Sequence, residues 1–302
     1  MKILVTGGTG FVGTALRREL KSQGHDVRLL VRAQSVGKVD PREGFEIITG
    51  DVLDSHACLR AVDGIDAVIH LVGIRREHPD DGLTYEAMHT EAAYTIFDAA
   101  RRAHVQRAVY LSALGARPDA QAGYHRTKFE SEEILKKTGM RWTIFRPSVV
   151  FGIGDEFHPL VADLVHRSVV PLINGGKTLM QPVSLANVVG PLARTVTMPE
   201  TQGSIYELGG PERVTFVDIM YKVARVYGVW PNTISVSGML AKPMVKFAQR
   251  FRSFPLTLEE LYMLLEDNVC DTSMFTSTFG VTLDTYMDKV ESLCPKLEER
   301  AA

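Results

Sequence analysis

A tyrosine and a lysine four residues apart, Tyr124 and Lys128, form a pair that could transfer protons. Residues with this spacing share one face of a helix, so the phenol and the ammonium group can point into one cleft. A phenol has an unperturbed pKa of about 10 and is a poor acid or base near neutral pH. A neighbouring cation lowers that pKa because it stabilises the phenolate. The spacing predicts Tyr124 as the acid or base and Lys128 as the residue that tunes it. The alternative is an exposed tyrosine beside a solvated lysine.

A glycine-rich stretch near the start of the chain predicts a nucleotide-binding turn. Residues 6–13 read Thr-Gly-Gly-Thr-Gly-Phe-Val-Gly, between an apolar β-rich run at 2–6 and helical spacing at 14–23. Strand, Gly-x-Gly-x-x-Gly turn and helix in this order favour a dinucleotide site, whereas an isolated glycine motif can be only a turn. Without a Cβ atom the backbone approaches a pyrophosphate closely, and the helix N-terminus offers free N–H groups. The predicted cofactor-binding residues of the turn are Gly7, Gly8, Thr9, Gly10, Phe11, Val12 and Gly13.

The end of the second predicted strand indicates which dinucleotide binds. Sites that prefer NAD usually carry an acidic residue about 20 residues beyond the glycines, where it holds the ribose hydroxyls. This chain has Val31 and then Arg32 there, with Lys38 a little further on. A cation suits a 2′-phosphate, and no carboxylate is present to repel it, so the sequence favours NADP(H) over NAD(H) with Arg32 as a ligand. The alternative is that Arg32 is a solvated loop residue.

The elements that must position these residues alternate along the first half of the chain. Strands are predicted at 2–6, 25–31, 46–49, 66–73, 108–112 and 141–147, with helical patterns between them, including 85–103 and 124–138. This order predicts an α/β fold with a doubly wound parallel Rossmann sheet. We expect an NAD(P)-binding Rossmann domain at 1–150. A smaller, mostly helical substrate-binding region at 151–302 would pack on the carboxyl edge of the sheet, with residues 184–210 returning to the sheet.

Local signals make three finer predictions. Ser55 and Thr215 are of residue types that cap helices, and each precedes an amphipathic run. The segment 171–176, which contains a proline and two glycines, predicts a turn.

Composition excludes several classes of protein. The 302 residues are 45% apolar and 23% charged with a formal net charge of −2, which is ordinary for a soluble globular protein and gives no reason to expect nucleic acid as a ligand. The three cysteines, Cys58, Cys270 and Cys294, are odd in number and far apart, which favours a reducing compartment. No signal peptide, membrane span or metal site is indicated. We therefore expect a cytoplasmic protein.

Together these motifs resemble the short-chain dehydrogenase/reductase superfamily over about the first 150 residues. The resemblance rests on the glycine turn, Gly50-Asp51-Val52, His70-Leu71-Val72-Gly73, the Tyr-x-x-x-Lys pair and Arg146-Pro147. It implies that Asp51 and Val52 hold the adenine, that Leu71, Val72 and Gly73 line the adenosine side, that Lys128 holds the nicotinamide ribose, and that Pro147 faces the nicotinamide. Ser112 is implied as the third catalytic group, which binds the substrate oxygen.

Two positions depart from the pattern of that superfamily. Members with extended substrate domains usually carry paired Ser/Thr residues where this chain reads Ser112-Ala113, and the alternative to Ser112 is that the family's catalytic hydroxyl falls where this chain has Ala113. His89 stands where many relatives have Asn.

The segments 146–157, 170–172 and 180–183 resemble the atypical branch related to the nucleotide-binding accessory subunit of respiratory complex I. The resemblance implies a nicotinamide dinucleotide as ligand and leaves three functions open. The first is an NADP(H)-dependent oxidoreductase for a small apolar carbonyl or quinone-like substrate. The second is an NAD-dependent sugar epimerase or dehydratase. The third is a non-catalytic nucleotide-binding accessory or assembly protein of a respiratory complex.

One further stretch, residues 239–252, is apolar with basic residues at Lys242, Lys246, Arg250 and Arg252. The first three are four apart and share a helix face. One interpretation is an amphipathic helix that covers the substrate cleft. The other is a basic amphipathic element that makes peripheral contact with an anionic membrane surface.

Overall fold

The computed structural model describes residues 1–249 and 256–294, and its centre is a sheet of seven parallel strands. The strands of the chain are β1 Lys2–Thr6, β2 Asp26–Val31, β3 Glu46–Thr49, β4 Ala67–His70, β5 Arg107–Leu111, β6 Arg141–Pro147, β7 Val150–Phe151, β8 Val169–Ile173, β9 Leu179–Met180, β10 Val183–Ser184, β11 Ser204–Leu208, β12 Val214–Thr215 and β13 Asn232–Val236. The central sheet has the order β11-β6-β5-β4-β1-β2-β3. The predicted doubly wound parallel sheet is confirmed.

Helices cover both faces of this sheet. They are α1 Phe11–Ser22, α2 Ser55–Val62, α3 Ala92–Arg102, α4 Gly123–Lys136, α5 Phe157–Val165, α6 Leu185–Thr195, α7 Phe216–Val226, α8 Gly238–Ala248, α9 Leu258–Leu264, α10 Ser273–Phe279 and α11 Tyr286–Leu293. One core, with α1, α6 and α10, contains Ile3 and Val5, and the opposite core, with α2 and α3, contains Leu4. Strand residues are buried on both faces, which is why the strands read as continuous apolar runs.

The second half of the chain forms a separate helical core that contains α5, α7 and α11. Segment 171–176, predicted as a turn, instead begins within β8, which pairs in parallel with β13. The turn is confined to a short 3-10 segment at Asn174–Gly176. The β8 strand gains a partner about 60 residues later in the chain, and local turn signals carry no information about such a partner.

Of the two predicted helix caps, one is confirmed and one is wrong. The Thr215 side chain accepts from the Asp218 N–H in a capping box and confirms the prediction for α7. The cap of α2 is Asp54, whose side chain accepts from the His56 N–H, so the prediction of Ser55 was wrong by one residue. Both residue types cap helices well, and the preceding turn decides which of the two neighbours takes the position. Of the helices in the described ranges, none has the length and apolar character that crossing a membrane requires.

The turn between β1 and α1 is set by close packing around Gly13. A Cβ atom at Gly13 would lie 2.1 Å from the Gly7 carbonyl oxygen and 2.7 Å from the Gly8 Cα atom. Both neighbours are backbone atoms, which cannot move aside as a flexible side chain can. Helix α1 therefore approaches the end of β1 at a distance that only glycine permits.

This packing predicts the effect of adding one methyl group. Gly13→Ala should lower the free energy of unfolding by about 1 to 3 kcal/mol, as overpacking does elsewhere, measured by urea denaturation. Gly37→Ala is the matched control, because a Cβ atom there meets nothing within 4 Å. The control should match or slightly exceed the parent in stability. Equal stability of Gly13→Ala and the parent would contradict the packing argument.

Candidate functional site

The predicted site residues come together at the carboxyl edge of the central sheet. Because all seven strands are parallel, their carboxyl ends meet at one edge. The glycine turn follows β1, Arg32 follows β2, Asp51 follows β3, Leu71 to Gly73 follow β4, and Ser112 follows β5. Pro147 ends β6, and Tyr124 and Lys128 lie in the first turns of α4.

The N-terminus of α1 is open for an anion. Gly10 precedes the helix in an extended conformation, and no side chain caps α1 there. The first turn of α1 holds no acidic residue. At Gly7 the backbone has φ +77°, and a Cβ atom would lie 3.0 Å from the Leu71 carbonyl carbon. The free N–H groups, the helix dipole and the absence of side-chain bulk fit the pyrophosphate of a dinucleotide.

The ends of β2 and β3 supply polar groups beside this turn. Arg32 is exposed, and within residues 1–249 and 256–294 no carboxylate pairs with its guanidinium group. Lys38 is also exposed. One oxygen of Asp51 accepts from the Leu53 N–H at 3.0 Å, which fixes the loop after β3, while Val52 is buried. These positions suit the adenosine half of a dinucleotide.

Lys128 is a buried cation beside the end of β4. Its Nζ donates to the Leu111 carbonyl oxygen at 3.1 Å and lies 5.1 Å from the centre of the Tyr110 ring. Burial lowers the pKa of Lys128 to about 8, and the charge of Glu132 opposes that shift. A Cβ atom at Gly73 would lie 2.9 Å from the Lys128 Nζ. The β4 loop therefore passes close to the ammonium group.

Tyr124 lies in an aromatic cluster and holds its proton firmly. Its ring meets the rings of Tyr85, His89 and His125 edge to face, with centroids 5.8, 5.3 and 5.3 Å away. Burial raises the pKa of Tyr124 to about 12, and the positive charge of Arg75 opposes this shift. The prediction that Lys128 lowers this pKa is therefore wrong for the protein alone, because removal of water from the phenolate raises it and the positive charge that opposes the rise belongs to Arg75.

His89 connects the β4 loop to the helix that carries Tyr124. It lies in the π-helical turn Glu86–Glu91, before α3, where one extra residue shifts side chains around the axis. Its Nε2 accepts from the Ile74 N–H at 3.1 Å, and its Nδ1 lies 2.8 Å from the Thr127 hydroxyl. Burial and then the charge of Lys128 lower the pKa of His89 to about 2, so the ring is neutral.

Ser112 is placed at the site, but its hydroxyl is already engaged. The hydroxyl donates to Glu132 at 2.5 Å, and Glu132 is paired with Arg146 at 2.7 Å. Both oxygens of Glu132 meet the Arg146 guanidinium group, as a buried carboxylate requires. The neighbouring Ala113 is buried and has no hydroxyl to offer. The catalytic role of Ser112 stays a prediction.

Two glutamates of α9, which the sequence analysis did not single out, fasten the second half of the chain to the site. Glu259 accepts from the Gly123 N–H at 2.5 Å and so caps α4. Glu260 pairs with Arg75 at 2.7 Å and with Arg76 at 2.5 Å. The spacing of Thr257 and Glu260 is a capping-box signal, and it could have revealed α9 but not its distant partners.

One cavity of the protein lies away from the carboxyl edge of the sheet. Its volume is about 430 Å³, and it lies at the opposite, amino-terminal edge, where its lining includes Met1, Asp66 and Arg141. Those residues flank the starts of β1, β4 and β6 and carry none of the chemistry described above. The candidate site is therefore defined by the glycine turn and the Tyr124/Lys128 pair.

Comparison with known proteins gives the same assignment. Residues 7–152 match a family described as NAD(P)H-binding. The chain is 28% identical over 291 residues to NADH dehydrogenase [ubiquinone] 1 alpha subcomplex subunit 9 of Arabidopsis thaliana, covering 90% of this chain and 70% of that protein. It is 28% identical over 304 residues to the 3 beta-hydroxysteroid dehydrogenase/Delta 5→4-isomerase of Mycobacterium tuberculosis, covering 87% of this chain and 81% of that protein.

The fold is shared with solved structures of much lower sequence identity. The NADPH complex of the NADPH-dependent quinone oxidoreductase QOR2 of Escherichia coli superimposes with a TM-score of 0.78 at 17% identity, covering 97% of this chain and 100% of that one. With the sheet order, the open α1 N-terminus and the matched family, these likenesses lead to one conclusion. Residues 7–152 are similar to an NAD(P)H-binding family, and most of the chain is similar to a mitochondrial NADH dehydrogenase subunit and to a hydroxysteroid dehydrogenase.

Proposed function

We propose that the protein is an NADP(H)-dependent oxidoreductase that reduces an apolar carbonyl or quinone-like compound. The observation that carries the proposal is the presence of Tyr124 and a buried Lys128 in the first turns of α4, at the sheet edge that holds the glycine turn. A site that only stores a nucleotide needs no phenol beside the nicotinamide position. Tyr124 keeps its proton at neutral pH, so it is in the protonation state that a proton donor needs for the reduction of a carbonyl.

The residues of this chain have separate parts in the reaction. Backbone N–H groups of α1 would hold the pyrophosphate, and Lys128 would hold the ribose next to the nicotinamide. The bound dinucleotide supplies a hydride to the carbonyl carbon. Tyr124 gives its proton to the carbonyl oxygen, so that a C–H and an O–H bond form and the carbonyl becomes an alcohol. Tyr124 then regains a proton from water. Ser112 would orient the oxygen if its hydroxyl turns from Glu132.

Support for an apolar substrate comes from the loop that crosses the site. A Cβ atom at Gly152 would lie 3.3 Å from the Phe11 ring of the glycine turn, and Glu156 pairs with Arg75 beside Tyr124 at 3.6 Å. Between these two contacts lies Ile153, which is 87% exposed. The mycobacterial relative is named for a steroid, which is a large apolar compound. We propose that this loop presents apolar surface to the substrate.

The second candidate is a nucleotide-binding accessory protein that performs no chemistry. It is favoured by the engaged hydroxyl of Ser112, by Ala113, and by the relative that is named as a subunit of NADH dehydrogenase. An epimerase or dehydratase is a variant within the enzyme class, and NAD retained through purification without net redox change would favour it.

The enzyme proposal predicts the effect of removing one hydroxyl. Tyr124→Phe should lower kcat by about 10² to 10⁴-fold, the range for loss of a general acid, and leave NADPH affinity unchanged. The measurement is oxidation of NADPH with a panel of quinones, ketones and aldehydes, followed by absorbance. Tyr94→Phe, an exposed tyrosine on α3, is the control and should retain full turnover.

The same assay separates the two candidates. Turnover that persists unchanged in Tyr124→Phe would remove Tyr124 from the mechanism. Tight NADPH binding by the parent without turnover of any compound, together with recovery of a large membrane complex on pull-down, would decide for the accessory role.

The choice of cofactor is a further prediction. If Arg32 meets the 2′-phosphate, NADPH should bind more tightly than NADH, and Arg32→Ala should weaken NADPH binding about 10 to 100-fold, the value of a charge-assisted contact. Titration calorimetry with both nucleotides measures this. Arg101→Ala, which removes an exposed arginine of α3, should leave both affinities unchanged. Equal affinities for the two nucleotides in the parent would refute the assignment, and a preference that survives in Arg32→Ala would point to Lys38.

A further inference from the structure

Helix α8 uses one face for packing and exposes another apolar face. Ala241 and Val245 are buried and form a small core with Leu261 of α9. On the outward side Met239 is 82% exposed, Leu240 is 63% exposed and Met244 is 62% exposed. Single exposed apolar residues are common, but three within six positions of one helix form a patch. The interpretation of this helix as a cover of the substrate cleft explains only its buried face.

The stretch of chain that contains α8 is basic and has no acidic residues. Residues 219–258 contain no Asp or Glu, although the whole chain has 36 of them. The same segment contains six basic residues, Lys222, Arg225, Lys242, Lys246, Arg250 and Arg252. Of these, Arg250 and Arg252 lie outside the described residues. Lys246 is exposed on α8 beside the apolar patch, and Lys242 lies one turn earlier, where its Nζ is 5.4 Å from the centre of the Tyr262 ring.

We infer that the outward face of α8 docks on an anionic phospholipid surface, with Met239, Leu240 and Met244 in the interface and Lys246 at the headgroups. An apolar helix face flanked by lysines binds at the boundary between the headgroups and the acyl chains. The acyl chains accept the apolar side chains there, and the anionic headgroups neutralise the charge of the lysines. A second copy of the chain fits less well, since the same face of both copies would bring their lysines together and residues 219–258 offer no carboxylate to pair with them.

The docking face lies next to the candidate site. Lys242 Nζ is 3.4 Å from the Gln121 side chain, two residues before α4 begins. The partner of α8, helix α9, caps α4 through the contact of Glu259 with Gly123. The docking face is therefore connected through α9 and Gln121 to the start of the helix that carries Tyr124. The docking itself is independent of whether the site turns over.

The test compares binding of the full chain to vesicles of phosphatidylglycerol mixed with phosphatidylcholine and to vesicles of phosphatidylcholine alone, by sedimentation. The parent should bind the anionic vesicles more tightly, and binding should weaken as NaCl rises from 50 to 500 mM. Met244→Glu should weaken that binding at least tenfold, because it removes a large apolar group and adds a repelled charge. Met274→Glu is the matched control, since Met274 is 53% exposed on α10, and it should bind as the parent does.

Both variants should keep the NADPH affinity of the parent, which shows that the fold is intact. No binding to anionic vesicles, equal binding to both vesicle types, or unchanged binding of Met244→Glu would each overturn the proposal. A dimer that Met244→Glu converts to a monomer, without vesicle binding by the parent, would assign the face to a second copy and overturn it too.

Discussion

The contact between α1 and the end of β1 is the constraint on which the site depends. Gly13 rests against the Gly7 carbonyl at a distance that excludes a Cβ atom, which brings the first turn of α1 to the sheet edge. Gly10 leaves that turn without a side-chain cap. A helix end that is held rigidly, and whose N–H groups have no hydrogen-bond partners, is suited to an anionic ligand. Folding has already ordered these N–H groups, so the binding of the ligand does not have to order them. The parallel sheet then brings the other polar groups to the same edge.

Burial sets the protonation of the groups around that edge. It raises the pKa of Tyr124, lowers the pKa of Lys128, and keeps His89 neutral between them. Beside them, each carboxylate oxygen of Glu132 accepts a hydrogen bond from the Arg146 guanidinium group. One element of the second half, α9, completes the arrangement through Glu259 and the cap of α4. The second half of the chain and α4 are thus joined directly.

Local sequence pattern and residue spacing were sufficient to predict the fold. They were insufficient to predict the contacts between residues that are distant in the sequence. The strand–helix alternation predicted the doubly wound parallel sheet, and the glycine spacing predicted the turn, because both are encoded within a few residues. The sign of the Tyr124 pKa shift was missed, since it depends on how Tyr85, His89 and His125 remove water. The Ser112–Glu132 bond and the pairing of β8 with β13 join residues 20 and about 60 positions apart, beyond what periodicity reports.

The open N-terminus of α1 is tested most directly by closing it. A Cβ atom at Gly10 would meet only the Gly7 oxygen, at 3.4 Å, so the backbone accepts a side chain there. Aspartate would cap α1 with its own carboxylate and place a negative charge where the pyrophosphate would bind. NADPH titration and thermal unfolding of Gly10→Asp are measured together. The account predicts thermal stability equal to or above that of the parent, with at least a hundredfold loss of NADPH affinity. A stable Gly10→Asp protein that binds NADPH as tightly as the parent would contradict it.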